Sequence, residues 1–142
     1  EIPVVTLPGE AGQLRGVAGE YLDARGPART FTPINAWELA LNEDAETTLS
    51  LPNGHTSLLV VLDGTLLVQD REVVRGGSVV ELSRDGETLA LAANTAARLL
   101  VLTGEPIDEP VVGHGPFVMN SEAEIHASID AFRRGRFGRL ST

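Results

Sequence analysis

Cysteine is absent from the 142 residues. That removes disulfides, thiolate nucleophiles and thiolate metal sites together, and it leaves the redox compartment unconstrained. Lysine is absent too, since all eleven positive residues are arginine, which excludes Schiff-base chemistry on a lysine side chain. Long apolar runs are lacking. The longest candidate, Leu58–Leu62, is strand-sized, well short of the roughly 18–20 residues of a membrane-spanning helix. Nothing in the sequence given reads as a signal peptide, and the expected location is the cytoplasm. Positive charge is scarce. A net charge of −9 sets up a field that repels nucleic acid and anionic membranes, so neither is an expected partner.

What is present suits one ordinary globular chain. A hydrophobic share of 42% argues against disorder. A chain of this length can bury roughly two-thirds of the surface that its unfolded form exposes. Glycine and proline punctuate the first hundred residues at short intervals: Pro8-Gly9, Gly26-Pro27, Pro33, Pro52, Gly64, Gly76-Gly77 and Gly86. Strand-like runs lie between them. Ala36–Asn42 alternates, with Trp37, Leu39 and Leu41 on one face, and Thr47–Leu51 alternates through Leu49 and Leu51. Leu58–Leu62 and Thr65–Gln69 flank Asp63-Gly64, a dipeptide suited to a type I′ hairpin. Val79–Leu82, Thr88–Ala93 and Arg98–Thr103 complete the set. Many short strands at this spacing predict an all-β sandwich or jelly roll. We divide the chain into a β-rich body, residues 1–103, and a tail, residues 104–142.

The tail has a different pattern. Ser121-Glu122-Ala123-Glu124 is a capping box, and Ile125, Ile129 and Phe132 then recur at helical spacing. Arg133 and Arg134 fall where positive charge favours the helix dipole, and Gly135 can end the helix. The pattern predicts one amphipathic helix over about Glu122–Arg134. In Gly115–Asn120 the apolar residues follow no strand alternation.

Chemistry-bearing motifs are few. No nucleophile elbow, phosphate-binding loop or His-Glu-x-x-His pattern occurs. Asp108 and Glu109 read as solvated loop carboxylates rather than an acid–base pair. Arg133, Arg134, Arg136 and Arg139 read as helix capping and local neutralisation rather than an anion site. The informative stretch is Pro52–Gly64, PNGHTSLLVVLDG, in which His55 stands just ahead of an apolar run ending at a glycine turn. It resembles the first metal motif of a cupin, a double-stranded β-helix barrel that binds metal through two histidines one residue apart, a glutamate, and a further histidine from a second motif. Imidazole and carboxylate ligands of that kind suit first-row transition metals.

The ligands, however, do not align. With His55 as the first ligand, the second falls on Ser57 and the glutamate on Val61 or Leu62. With Gly64 setting the register, the histidines fall near Ser50 or Leu51 and near Pro52 or Asn53, and the glutamate on about Ser57. Counted from Gly86, the histidine of the second motif falls on Ala97. We therefore expect a barrel without metal or other cofactor. His55 is its one weak ligand candidate, the alternative being a turn or barrel-mouth residue hydrogen-bonded to backbone. His114, in a glycine loop, and His126, on the predicted helix, belong to neither motif.

The segment Gly104–Gly138 reads GEPIDEPVVGHGPFVMNSEAEIHASIDAFRRGRFG. It resembles the end of the pirin family, where GEP-x-x-EPVV, GPFVMN, an acidic-start helix and a terminal GRFG recur together. Gly19–Ile34, GEYLDARGPARTFTPI, and LPNGH with its following strand fit as well. His114 departs from the pattern, at a position expected to be aromatic. The resemblance implies a bicupin of which this chain is the second barrel plus a C-terminal strap. It implies iron or another divalent metal in the first barrel and none in the second. It implies roles for whole family members as quercetin 2,3-dioxygenases in some bacteria and iron-dependent transcriptional cofactors in animals. The expected function of this chain is a structural or interaction module. The alternative is the non-catalytic half of a quercetin 2,3-dioxygenase. Its expected partners are an N-terminal cupin half, a second copy of itself or other proteins, met through Phe117, Met119, Phe132 and Phe137.

Overall fold

Alternation decides the body of the structure, a computed structural model that describes residues 1–139. In β2 (Gly12–Ala18) every second residue is buried. The same holds through most of β5 (Ile34–Leu41), β7 (Thr56–Asp63) and β12 (Ala97–Gly104). Such strands must lay one face on a core and leave the other to water. With β1 (Val4–Thr6) and β10 (Ser78–Leu82) they make a six-stranded sheet in the order β1-β2-β5-β12-β7-β10. A second sheet, β6-β11-β8-β9, is built from β6 (Glu46–Ser50), β8 (Thr65–Val68), β9 (Glu72–Arg75) and β11 (Thr88–Ala93). All pairings in both sheets are antiparallel. A small ribbon, β3 (Glu20–Tyr21) with β4 (Ala24–Arg25), lies between β2 and β5 in the chain.

The two buried faces share one core of Trp37, Leu14, Leu39, Leu49, Leu59, Val61, Leu66, Leu89, Leu99 and Val101, each at most 2% exposed. Strands β7, β8, β10 and β11 alternate between the sheets as the chain advances, the signature of the cupin jelly roll. The predicted strands from Ala36 onward are all present. The sequence reading missed β2, whose glycines at Gly12 and Gly16 hide its alternation, and β9, whose four residues are too few for a pattern.

The Asp63-Gly64 turn corrects an expectation. β7 and β8 belong to different sheets and do not pair, so this is a corner between layers, not a hairpin. A type I′ turn needs positive φ at both central residues. Only Gly64 has it, at 86°. Two positive φ values in succession occur instead in turns such as Val68–Arg71, where Gln69 and Asp70 stand at 52° and 53° and Arg71 N–H donates to Val68 C=O. It joins β8 to β9, which do pair.

The chain forms two compact units, Glu1–Pro106 and the part from Ile107 onward. The expected division after residue 103 differs by three residues, and residues 140–142 of the expected tail lie outside the described residues. In the second unit β13 (Val112–His114) pairs with β14 (Phe117–Met119), a strand not expected from the pattern of apolar residues in Gly115–Asn120. Helix α1 (Glu122–Arg133) then follows. Ser121 Oγ accepts from Glu124 N–H at its start, and Glu124 carboxylate reaches back to Asn120 N–H rather than to Ser121 N–H. Ile125 is the buried residue of the helix, and Gly135, at φ 69°, follows its end.

Candidate functional site

One end of the barrel is open, and the Leu51–His55 loop lies across it. Loop 83–87 holds this segment in place through three hydrogen bonds: Leu51 N–H to Glu87 C=O, Gly54 N–H to Arg84 C=O, and Gly86 N–H to Asn53 Oδ1. Gly54 adopts φ 81°, which L residues avoid. His55 N–H donates to Pro52 C=O at 3.4 Å. The imidazole is thereby set at the entry to β7, half-buried.

From there a chain of side chains leads into the sheet. Asn35 Oδ1 accepts from Glu20 N–H at 3.2 Å, and Asn35 Nδ2 donates to Thr103 Oγ1 at 3.0 Å. Thr103 Oγ1 lies 3.4 Å from His55 Nδ1. Thr103 is 3% exposed, so its hydroxyl depends on protein partners. Strand register makes this meeting possible, because Thr103 pairs with Asn35 on one side and with Ser57 on the other.

His55 and Ser57 line a cavity of about 450 Å³, whose apolar surface includes Leu51, Val68, Val80 and Leu82. His55 also borders a second hollow of about 510 Å³, beside Asn35 and Arg25. A third, of about 320 Å³, runs between Tyr21, Trp37 and Pro52. Tyr21 meets Trp37 edge to face with ring centroids 5.1 Å apart. Burial raises the Tyr21 pKa above its ordinary value of 10.0. Trp37 Nε1 is buried without a hydrogen-bond partner among the described residues.

The strand layout also tests the expected metal positions. Leu51, Pro52, His55 and Ser57 do reach the mouth. Val61 is buried in the core and Leu62 faces outward. Ala97 lies at the opposite end of the barrel, where a Cβ on Gly64 would stand 2.7 Å from Ala97 Cβ. The count from Gly86 therefore started at the wrong turn. β10 and β11 flank the mouth, and the glycine turn before them is Gly76-Gly77. Eleven residues beyond Gly77 stands Thr88, which lines the cavity. The motif positions at the mouth thus hold one imidazole and two hydroxyls, and among the described residues no three His, Cys, Asp or Glu side chains are grouped to hold a metal ion. A cupin-type metal does not fit this mouth.

The other residues singled out from sequence lie in the second unit. His114 and His126 share a hollow of about 240 Å³ with Glu122 and Ile129. Glu109 accepts from Asn120 Nδ2 at 2.8 Å, and Arg134 pairs with Asp130 at 3.6 Å. Phe117, Phe132 and Phe137 form a triangle with centroids 6.0–6.3 Å apart. Phe132 and Phe137 are each 61% exposed, while Phe117 and Met119 are half-buried. Sequence reasoning missed Asn35 and Thr103, because only register unites residues so far apart in the chain.

A family model described as the pirin C-terminal cupin domain matches residues 36–138. A putative quercetin 2,3-dioxygenase of Pseudomonas aeruginosa is 50% identical over 137 residues, which cover 96% of this chain and 48% of that protein. The pirin of Rattus norvegicus is 30% identical over 126 residues, 86% of this chain and 43% of that protein. The crystal structure of a quercetin 2,3-dioxygenase from Acinetobacter baumannii superposes with a TM-score of 0.88 at 46% identity, covering 99% of this chain and 49% of that one. The chain spans about half the length of the curated relatives that it matches. No described helix is long and apolar enough to cross a membrane.

Proposed function

The chain belongs to the pirin family, and from that premise we propose that it is a metal-free C-terminal cupin half acting as a structural and interaction module in the cytoplasm. One observation carries the reading. Where a metal-binding cupin needs three or four imidazole and carboxylate donors grouped together, the motif positions of this mouth offer His55, Ser57 and Thr88, and the rim carboxylates Glu72, Glu81 and Asp85 are not grouped with His55 to hold a metal ion. A lone imidazole with hydroxyl neighbours does not hold a first-row metal against water.

The partner under this reading is an N-terminal cupin half, with a second copy of the chain as the other occupant. The aromatic triangle of Phe117, Phe132 and Phe137 with Met119 supplies the contact. Phe132 and Phe137 are exposed beside the half-buried Phe117 and Met119, and aromatic and methionine side chains are enriched at protein interfaces. Iron or another divalent metal would then reside in the N-terminal half. The second reading takes the 50% identity to a putative quercetin 2,3-dioxygenase as the guide, and makes this chain the non-catalytic half of such an enzyme.

Elemental analysis of the purified protein, with His55→Ala alongside, tests the metal-free reading. The expected result is substoichiometric metal in both. A one-to-one transition metal that disappears in His55→Ala overturns it. Sedimentation of the chain with an N-terminal cupin half tests the partner. Association that weakens at least tenfold in a Phe132→Ser, Phe137→Ser double variant supports the aromatic contact, and unchanged association removes it.

A further inference from the structure

The barrel below the mouth is filled, since Leu49, Leu59, Leu66 and Leu89 are all 0% exposed. No apolar guest fits there. The mouth itself is open, and its lining is polar in a specific way. We infer that the cavity beside His55 is a binding site for a small, neutral, polyhydroxylated molecule of about monosaccharide size.

The first argument is the direction of a hydrogen-bond relay. Glu20 N–H fixes Asn35 Oδ1, which turns Asn35 Nδ2 toward Thr103 Oγ1. Thr103 accepts that bond and has a single hydroxyl proton, which it can donate to His55 Nδ1 at 3.4 Å. An imidazole whose Nδ1 accepts carries its own proton on Nε2. His55 Nε2–H has no acceptor among the described residues, and the ring lines the cavity. Three elements thus hold the His55 ring at the cavity wall, with Nε2 left free to donate to a ligand. Ser57, 3% exposed, stands beside it and can both donate and accept.

The second argument is the charge of the rim. Arg71 and Arg84 face Glu72, Glu81 and Asp85 around the same cavity, and none of these five is in an ion pair among the described residues. Two positive charges against three negative ones, on a chain of net charge −9, give an anion no net attraction. The rim instead offers unpaired donors and acceptors side by side. A hydroxyl uses both at once. The wall of Leu51, Val68, Val80 and Leu82 gives the C–H face of such a molecule an apolar surface. A volume of about 450 Å³ falls within the roughly 300–1,000 Å³ of small-molecule sites.

The test is a titration followed by the ring ¹⁵N signals of His55, assigned by comparison with His55→Gln. Glucose, galactose and myo-inositol are the probes, with galacturonate as the charged counterpart of galactose. Recorded where the ring is neutral, the unliganded His55 should show the Nε2–H tautomer. At least one neutral probe should shift its signals saturably, with a dissociation constant on the order of millimolar. Ser57→Val should weaken that binding at least fivefold while the thermal midpoint stays within a few degrees. Thr103→Val should abolish the tautomer preference. A ring found in the Nδ1–H tautomer, or no saturable shift from any of the three neutral probes, overturns the proposal. Tighter binding of galacturonate than of galactose overturns the neutral class. Metal content enters none of these readouts, so the outcome is separable from the test of the metal-free reading.

Discussion

The Thr103 hydroxyl ties His55 to the barrel. Its oxygen lies 3.4 Å from His55 Nδ1 while it accepts from Asn35 Nδ2 at 3.0 Å. A residue at the loop entry is therefore anchored through the middle of the six-stranded sheet, and the anchor sits where almost no water reaches.

Replacing Thr103 by valine keeps the shape and removes the hydroxyl. Asn35 Nδ2 then loses its acceptor in a half-buried place. We expect a loss of about 1–3 kcal/mol, read from urea unfolding, with Thr103→Ser recovering most of it. A loss within error for Thr103→Val would mean that water replaces the bond.

Trp37 is 2% exposed, and its Nε1 has no partner among the described residues. Trp37→Ala should cost about 3–5 kcal/mol through the cavity left behind. Trp37→Phe should cost much less than its lost volume implies, because it also removes a buried, unpaired donor. Equal losses for the two variants in chemical denaturation would contradict that account.

Gly64 and Gly54 have nearly the same φ, 86° and 81°, but different surroundings. A Cβ at Gly64 would meet Ala96 O at 2.4 Å and Ala97 Cβ at 2.7 Å, while one at Gly54 meets nothing within 4 Å. Gly54→Ala should therefore cost the backbone strain alone, on the order of 1 kcal/mol. Gly64→Ala should cost clearly more. Matching thermal midpoints for the two variants would show that the corner relaxes freely.

Tyr21 is the single tyrosine of the chain, so absorbance at alkaline pH titrates it alone. Burial raises its pKa above 10.0, which means that the folded state prefers the neutral phenol. The stability it contributes is complete below the unfolded value and declines as pH rises from about 10 through the folded pKa. Tyr21→Phe should flatten that alkaline decline. A Tyr21 midpoint at or below that of the denatured protein would reverse the sign.

Much of this was legible from the chain. Trp37, Leu39 and Leu41 alternate in a way that only a half-buried strand explains, and all three are buried. Ser121 and Glu124 mark the helix start one hydrogen bond away from its observed form. The site was less legible. His55 stood out because histidine is rare here, whereas Asn35 and Thr103 look like any polar residues in strands.

The sequence by itself determined the all-β character, the strand faces and the terminal helix, because these follow from local periodicity and capping. It also determined that His55 is the one histidine beside the first cupin motif, since His114 and His126 lie in the tail. Tertiary structure decided which glycine turn sets the second motif, that Asp63-Gly64 is a corner between sheets, and that Asn35, Thr103 and His55 meet. Those outcomes depend on sheet register and on which layer each strand joins. Both are set by packing among segments distant in sequence, and periodicity records only the face that a strand buries.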